Sequence, residues 1–257
     1  MMLSLPTLPP NLQANLQGVH ERITKAARAA GRDSSSVRLL AVSKAFPAEA
    51  VLAAARAGQL SFGENYAQEA IAKMEAVADL APELIVEWHF IGPIQSNKTR
   101  LLAERFDWVQ SVDRLKVAER LSEQRPLNLP ALNLLLQVNI SGEASKGGAA
   151  HDELLSLAQS VVALPRLRLR GLMAVPAATD SVAEQRAAFR QMKQLFNQLR
   201  NQLGDERGGR APLDANPVSA FDTLSIGMSS DLEAAVAEGS TMVRVGTGIF
   251  GARAARQ

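Results

Sequence analysis

Eight short apolar runs, each followed by a stretch of helical period, occupy most of the chain. They are Val37–Ser43, Leu60–Gly63, Ile85–Ile91, Trp108–Ser111, Asn133–Ile140, Leu169–Val175, Thr223–Ile226 and Met242–Gly246. Near-continuous apolar runs suit strands covered on both faces, the situation of a parallel sheet with helices packed over it. Helices are expected over Pro47–Ala57, Ala67–Val77, Ser96–Ala103, Leu115–Gln124, Asp152–Ala163, Val182–Leu203 and Asp231–Ala237. A count of eight strands suits closure, so the expected fold is α/β, a (β/α)8 barrel of the TIM type, with an open doubly wound sheet as the alternative. A further helix, about Leu12 to Ala30 and closed by Gly31, precedes the first strand and should pack outside the barrel. Barrels of this kind commonly reach about 250 residues around one core, so residues 1–257 are expected to form a single domain.

Composition excludes several classes of function. The net charge of +2 is too small to call for a polyanionic partner. The chain contains no cysteine, which removes disulfides, thiolate nucleophiles and sulfur-ligated metals. Its three histidines, His20, His89 and His151, are scattered and form no metal-ligand pattern. The opening MMLSLPTLPP lacks the order of a signal peptide, and no apolar run approaches the roughly 18 residues of a membrane span. A cytoplasmic protein with no membrane partner is expected. Arg166, Arg168 and Arg170 alternate with leucines and have no aromatic residues interleaved, so they read as a solvated edge and not as a nucleic-acid patch.

In such a barrel the chemistry lies at the C-terminal ends of the strands. Polar residues recur there: Lys44 after the first strand, GENY (Gly63–Tyr66) after the second, HFIGPIQSNK (His89–Lys98) after the third and QSVD (Gln110–Asp113) after the fourth. SIGMSSD (Ser225–Asp231) and VRVGTGIFG (Val243–Gly251) end the last two, where barrels of this type often hold a phosphate. Each has a plainer reading. Ser229 or Ser230 could cap a helix, Gly246 and Gly248 could serve turns, Gln95, Asn97 and Lys98 could be caps, and His89 could be a satisfied core histidine. Arg244 is harder to dismiss, because it lies inside an apolar strand and a buried guanidinium needs partners. Lys44 follows an equally apolar run. An amine in an apolar pocket loses its charge readily and becomes a nucleophile, and the usual biological carbonyl for it, beside a phosphate site, is pyridoxal 5′-phosphate. The alternatives are a lysine snorkelling at the strand end or paired with Glu64.

The segments AVSKAFP, FGENYAQE, WHFIGPIQSNK, LQVNISGEASKGG, GLMAVP and LSIGMSSDLEAAVAEGSTMVRVGTGIFGAR together resemble the pyridoxal phosphate homeostasis proteins, formerly called proline synthase co-transcribed proteins. The resemblance runs from about Val37 to Arg253. It implies a barrel similar to the N-terminal domain of alanine racemase, the fold type III of pyridoxal phosphate proteins, with the cofactor held as a Schiff base on Lys44. By position it implies Asn65 beside the cofactor, Arg244 at the pyridine nitrogen, Ser229, Gly246 and Thr247 at the phosphate, and Met228 nearby. It implies binding, buffering and delivery of vitamin B6, with pyridoxal-dependent apo-enzymes as possible recipients, and no catalytic residues. Phe46 stands where many members carry a second lysine, and lysines found near some members' C-termini are absent. Lys146 matches a family lysine after the fifth strand and is either a cofactor-handling group or an exposed loop residue without a role. Lacking a second domain, the chain is expected to be a monomer. Two other functions stay open: an amino-acid racemase using Lys44 and Tyr66, and a sugar-phosphate barrel using Lys44 for aldolase-type chemistry.

Overall fold

The computed structural model describes residues 11–141, 147–205 and 221–252. Eight strands, β1 (Arg38–Val42), β2 (Ser61–Glu64), β3 (Glu87–Phe90), β4 (Trp108–Val112), β5 (Leu132–Gln137), β6 (Leu167–Met173), β7 (Thr223–Ser225) and β8 (Met242–Val245), form a closed barrel in sequence order. Every neighbouring pair is parallel, and the ring closes where Leu39 and Leu40 of β1 lie opposite Val243 and Arg244 of β8. The open-sheet alternative is thereby excluded.

Alternation along each strand produces two unlike layers. The outward set, including Leu39, Ala41, Phe62, Trp88, Phe90, Val109, Leu134, Leu172, Leu224 and Val243, merges with the helices into one large apolar core. The inward set is mixed. Trp108, Leu135 and Met173 form a small apolar cluster of their own, and His89, Gln110, Ser225 and Arg244 are buried beside it.

The covering helices are α1 (Leu12–Ala29), α2 (Ala48–Arg56), α3 (Ala67–Leu80), α4 (Thr99–Arg105), α5 (Leu115–Gln124), α6 (Leu154–Val162), α7 (Val182–Asp205), α8 (Leu232–Ala237) and α9 (Thr247–Phe250). Helix α1 buries Leu12, Leu16, Val19, Ile23 and Ala27, spaced as one helical stripe. This stripe packs against α2, α8 and α9, so the helix braces the outside of the barrel. Its Asn15 donates to the carbonyl of Ile249 at 3.0 Å, while Arg22 donates to Glu233 and to the carbonyl of Ser229 at 2.9 Å. Among the described residues no helix is long and apolar enough to cross a membrane.

Two expectations need correction. Thr247–Phe250 is a short helix started from Gly246 and not merely a glycine turn. The arginines at the start of β6 are not a common solvated edge. Only Arg168 is exposed; Arg166 donates to the carbonyl of Ser122 at 2.7 Å, and Arg170 folds over the Trp108 ring while pairing with Asp222 at 2.6 Å. A register shift between β5 and β6 after Leu134 accompanies this placement.

Candidate functional site

A cavity of about 420 Å³ opens at the C-terminal mouth of the barrel. Lys44, Asn65, Met228, Ser229, Arg244, Gly246 and Thr247, the seven residues singled out from the sequence, all line it, together with Ser230, Val42, Phe46, Ile91, Met173 and Val175. Six strand ends therefore converge on one concave surface, apolar on its walls and polar at a few points.

The half-buried Lys44 lies in the turn after β1, and its neighbours hold that turn tightly. Ala45 has φ of 64°, a left-handed conformation costly for a residue with a Cβ. Its backbone N–H donates to Glu69 Oε1 at 2.7 Å. On the other side Ser43 donates its hydroxyl to Glu64 Oε1 at 2.6 Å, and Lys73 donates to the Ser43 carbonyl at 2.8 Å and to Glu64. Glu64 thus has a lysine partner, and it is Lys73 of α3, not Lys44. Burial raises the Glu64 carboxyl above the usual range, against the pull of the Lys73 charge.

Asn65 is seated by a close backbone approach. A Cβ on Gly92, in the loop after β3, would stand 2.1 Å from the Asn65 carbonyl oxygen, so only glycine fits there. The buried Oδ1 of Asn65 has no hydrogen-bond partner although its residue faces the cavity. An acceptor left like this is costly unless something fills its place.

Arg244, on the strand next to β1, is held by neutral acceptors. Its Nη1 donates to the Ser225 carbonyl at 2.7 Å and hydroxyl at 2.8 Å, and its Nη2 to the Ala174 carbonyl at 2.8 Å. Burial pushes its pKa down to about 10, with the Asp231 charge opposing, so the guanidinium is charged at neutral pH. Asp231 also accepts from the Met228 backbone N–H and so fixes the turn that presents Met228 and Ser229. The turn needs Gly227 at φ of 95°, where a Cβ would meet that of Ala235 at 2.4 Å. The hydroxyls of Ser229 and Thr247 approach to 3.4 Å, bringing the last two strand-end loops together. Three hydroxyls, from Ser229, Ser230 and Thr247, therefore border one side of the cavity.

Other sequence candidates stand apart. His89 is fully buried below the cavity, between Glu87 and Gln110, and stacks on Trp108; burial lowers its pKa. Tyr66 is 49% exposed and does not line the cavity. Gln95, Asn97 and Lys98 open the single-turn helix before α4, away from the cavity lining. Lys146 and the tail from Arg253 lie outside the described residues. Among the described residues no group of three or more His, Asp or Glu side chains could hold a metal ion. Reading the sequence alone assigned no site role to Lys73 and Glu69, which grip the turn at Lys44, or to Arg22, which reaches Ser229 from outside the barrel, and placed Asp231 only at a helix start. Their only sequence signal is charge on a helix face or at a helix start.

Comparison with known proteins came to the same region of protein space. The family model described as alanine racemase, N-terminal domain, matches residues 14–254. The pyridoxal phosphate homeostasis protein of Pseudomonas aeruginosa is 56% identical over 239 residues, 93% of this chain and 94% of its own. Its counterpart in Haemophilus influenzae is 51% identical over 243 residues, covering 95% and 96%. Among solved structures, PipY of Synechococcus elongatus with PLP bound superposes with a TM-score of 0.77 at 35% identity, covering 93% of this chain and all (100%) of that one.

Proposed function

Since the chain belongs to the pyridoxal phosphate homeostasis protein family, we propose that it binds pyridoxal 5′-phosphate at the barrel mouth and buffers and delivers it without turning over a substrate. The observation that carries this reading is the pairing of Lys44 and a charged, buried Arg244 around a cavity of about 420 Å³, which hydroxyls from the last two strand-end loops also line.

The donor set suits that cofactor. Ser229, Ser230 and Thr247, with the backbone turn at Gly246, offer hydrogen-bond donors to a phosphate. Asn65 offers its unpartnered Oδ1 to a donor on the ligand, and Met228 and Ile91 give apolar contact to a ring. Lys44 supplies the amine for covalent attachment. When bound, the cofactor supplies an aldehyde carbon and an electron-withdrawing ring. A guanidinium at Arg244 set against the ring nitrogen would keep that nitrogen unprotonated and so weaken the ring as an electron sink. Such a site is built for retention more than for carbanion chemistry. Tyr66, needed as an opposing acid or base for a racemase, lies outside the cavity lining. We read the chain as a single domain over residues 1–257 that works as a cytoplasmic monomer and passes the cofactor to apo-enzymes.

Borohydride reduction of the cofactor-loaded protein followed by peptide mapping tests the assignment. The expected result is one pyridoxyl adduct, on Lys44, and none in Lys44→Ala. An adduct confined to another lysine would overturn it. Incubation of the loaded protein with L-alanine in deuterated water tests the lack of turnover: optical purity should persist, and racemisation would establish an enzyme.

A further inference from the structure

A continuous file of hydrogen-bonded side chains runs along the barrel interior from the cavity to its far end. Arg244 Nη1 donates to Ser225 Oγ at 2.8 Å, and Ser225 Oγ donates to Gln110 Oε1 at 2.8 Å. Gln110 Nε2 lies 2.8 Å from His89 Nδ1, and His89 Nε2 lies 2.7 Å from Glu87 Oε1. Arg38, together with Ser61 Oγ at 3.1 Å, donates to the same Glu87 oxygen.

The proton directions follow from the two ends. A guanidinium has no acceptor, so Ser225 Oγ must accept from Arg244 and is free to donate to Gln110. Glu87 is a carboxylate, held below the usual range by its contacts with His89 and Arg38 despite burial, so it can only accept. His89 is buried and kept neutral, and its one proton therefore sits on Nε2, facing Glu87. Nδ1 is then a bare acceptor, which fixes the Gln110 amide with Nε2 toward His89 and Oε1 toward Ser225. Both ends demand the same arrangement, and every member of the file has a defined role. Gln110, His89 and Ser225 are buried, so no bulk water can substitute for a lost member.

We infer that Gln110 and His89, acting through Ser225, are positioning residues that lock the orientation of Arg244 toward its ligand. This rests on the reading of the cavity as a pyridoxal phosphate site. Without Gln110 the Ser225 hydroxyl loses the acceptor that fixes its rotamer, so the Oγ that accepts from Arg244 is no longer held in place and the guanidinium loses one of its three fixed acceptors. A change two side chains away, outside the cavity, is thereby felt at the ligand's ring nitrogen.

The test loads wild type, Gln110→Leu and Ser225→Ala with cofactor labelled with ¹⁵N at the ring, and records the ring-nitrogen resonance, the cofactor affinity and the reduced-adduct map. Leu135→Val, an interior change off the file, serves as the packing control. The expected result is an adduct on Lys44 throughout, with a displaced ring-nitrogen resonance and about tenfold weaker affinity in Gln110→Leu and Ser225→Ala only. Recovery of the resonance in Ser225→Thr, which restores the hydroxyl, would support the same conclusion. Normal adducts with an unmoved resonance and affinity, whatever the melting temperature, would overturn the positioning role and leave the cofactor assignment intact. A wild type with no adduct would overturn both. Should Gln110→Leu fail to fold, Ser225→Ala decides the matter by the same criteria.

Discussion

Arginines occupy both ends of the barrel and are treated differently. At the N-terminal end Arg38 and Arg170 lie over the Trp108 ring, 5.8 and 4.7 Å from its centroid, and each is matched with a carboxylate, Glu87 and Asp222. At the mouth Arg244 is deeply buried yet, among the described residues, makes no ion pair; its hydrogen bonds go to two carbonyls and a hydroxyl. Neutral acceptors orient a guanidinium without cancelling its charge. The lower end is therefore a plug whose charges are spent on each other, while the mouth retains a fixed positive group for a ligand.

If that contrast is right, damage at the lower end should cost stability and spare cofactor capture. Trp108→Ala removes a fully buried ring from the interior cluster and should cost about 4 kcal/mol in urea unfolding, with the Lys44 adduct still formed in the folded fraction. Loss of the adduct at full folding would erase the distinction between the ends. Lys73→Met, beneath the turn that carries Lys44, strands the buried Glu64 carboxylate and should cost about 3 kcal/mol at neutral pH. Because a stranded carboxyl has its folded pKa raised further, that penalty should shrink as pH falls and Glu64 takes up a proton. A penalty independent of pH would argue against the ion pair as its source.

A pH dependence follows from His89. Its folded pKa is lowered from 6.5 by burial, so below that value the unfolded chain takes a proton that the folded chain refuses. Stability should therefore fall on acidification below about pH 6.5, by at most roughly 1.4 kcal/mol per pH unit from this group. Urea midpoints between pH 7 and 5 should show a flatter profile in His89→Asn than in wild type. The smallest stability effect belongs to the mouth. Asn65→Ala deletes an unpartnered buried acceptor and should leave apo-protein stability within about 0.5 kcal/mol while weakening cofactor affinity about tenfold. Equal losses of stability and affinity would show that Asn65 is structural after all.

Local pattern carried most of the architecture. The helix expected over Leu115–Gln124 is α5 residue for residue, and the apolar run from Met242 differs from β8 by a single residue. Elements drifted where tertiary contacts intervene. The fifth strand was expected to reach Ile140 but ends at Gln137, because Val138 leaves the ladder for an isolated bridge to Ala149. Lys44 and Arg244 were legible because strand-end loops must converge in a closed barrel, while the site roles of Asn65, Met228, Ser229, Gly246 and Thr247 came from the family resemblance. Lys73 was not, because a lysine on a helix face reads as solvated until the helix is docked. Nor was the link from Arg244 to Glu87, whose Ser225–Gln110 contact joins residues 115 apart in sequence.

The brace by α1 has a consequence for how the molecule comes into being. Asn15 meets Ile249 across 234 positions, and Arg22 meets Glu233 across 211. During synthesis the amino-terminal helix can meet α2 early, but the part of its stripe that packs on α8 and α9 waits until nearly the whole barrel has left the ribosome and β8 can seal against β1. On the proposed function, cofactor capture therefore waits for the closed barrel, and a chain stopped before β8 would carry Lys44 without Arg244 and the loops that complete the pocket.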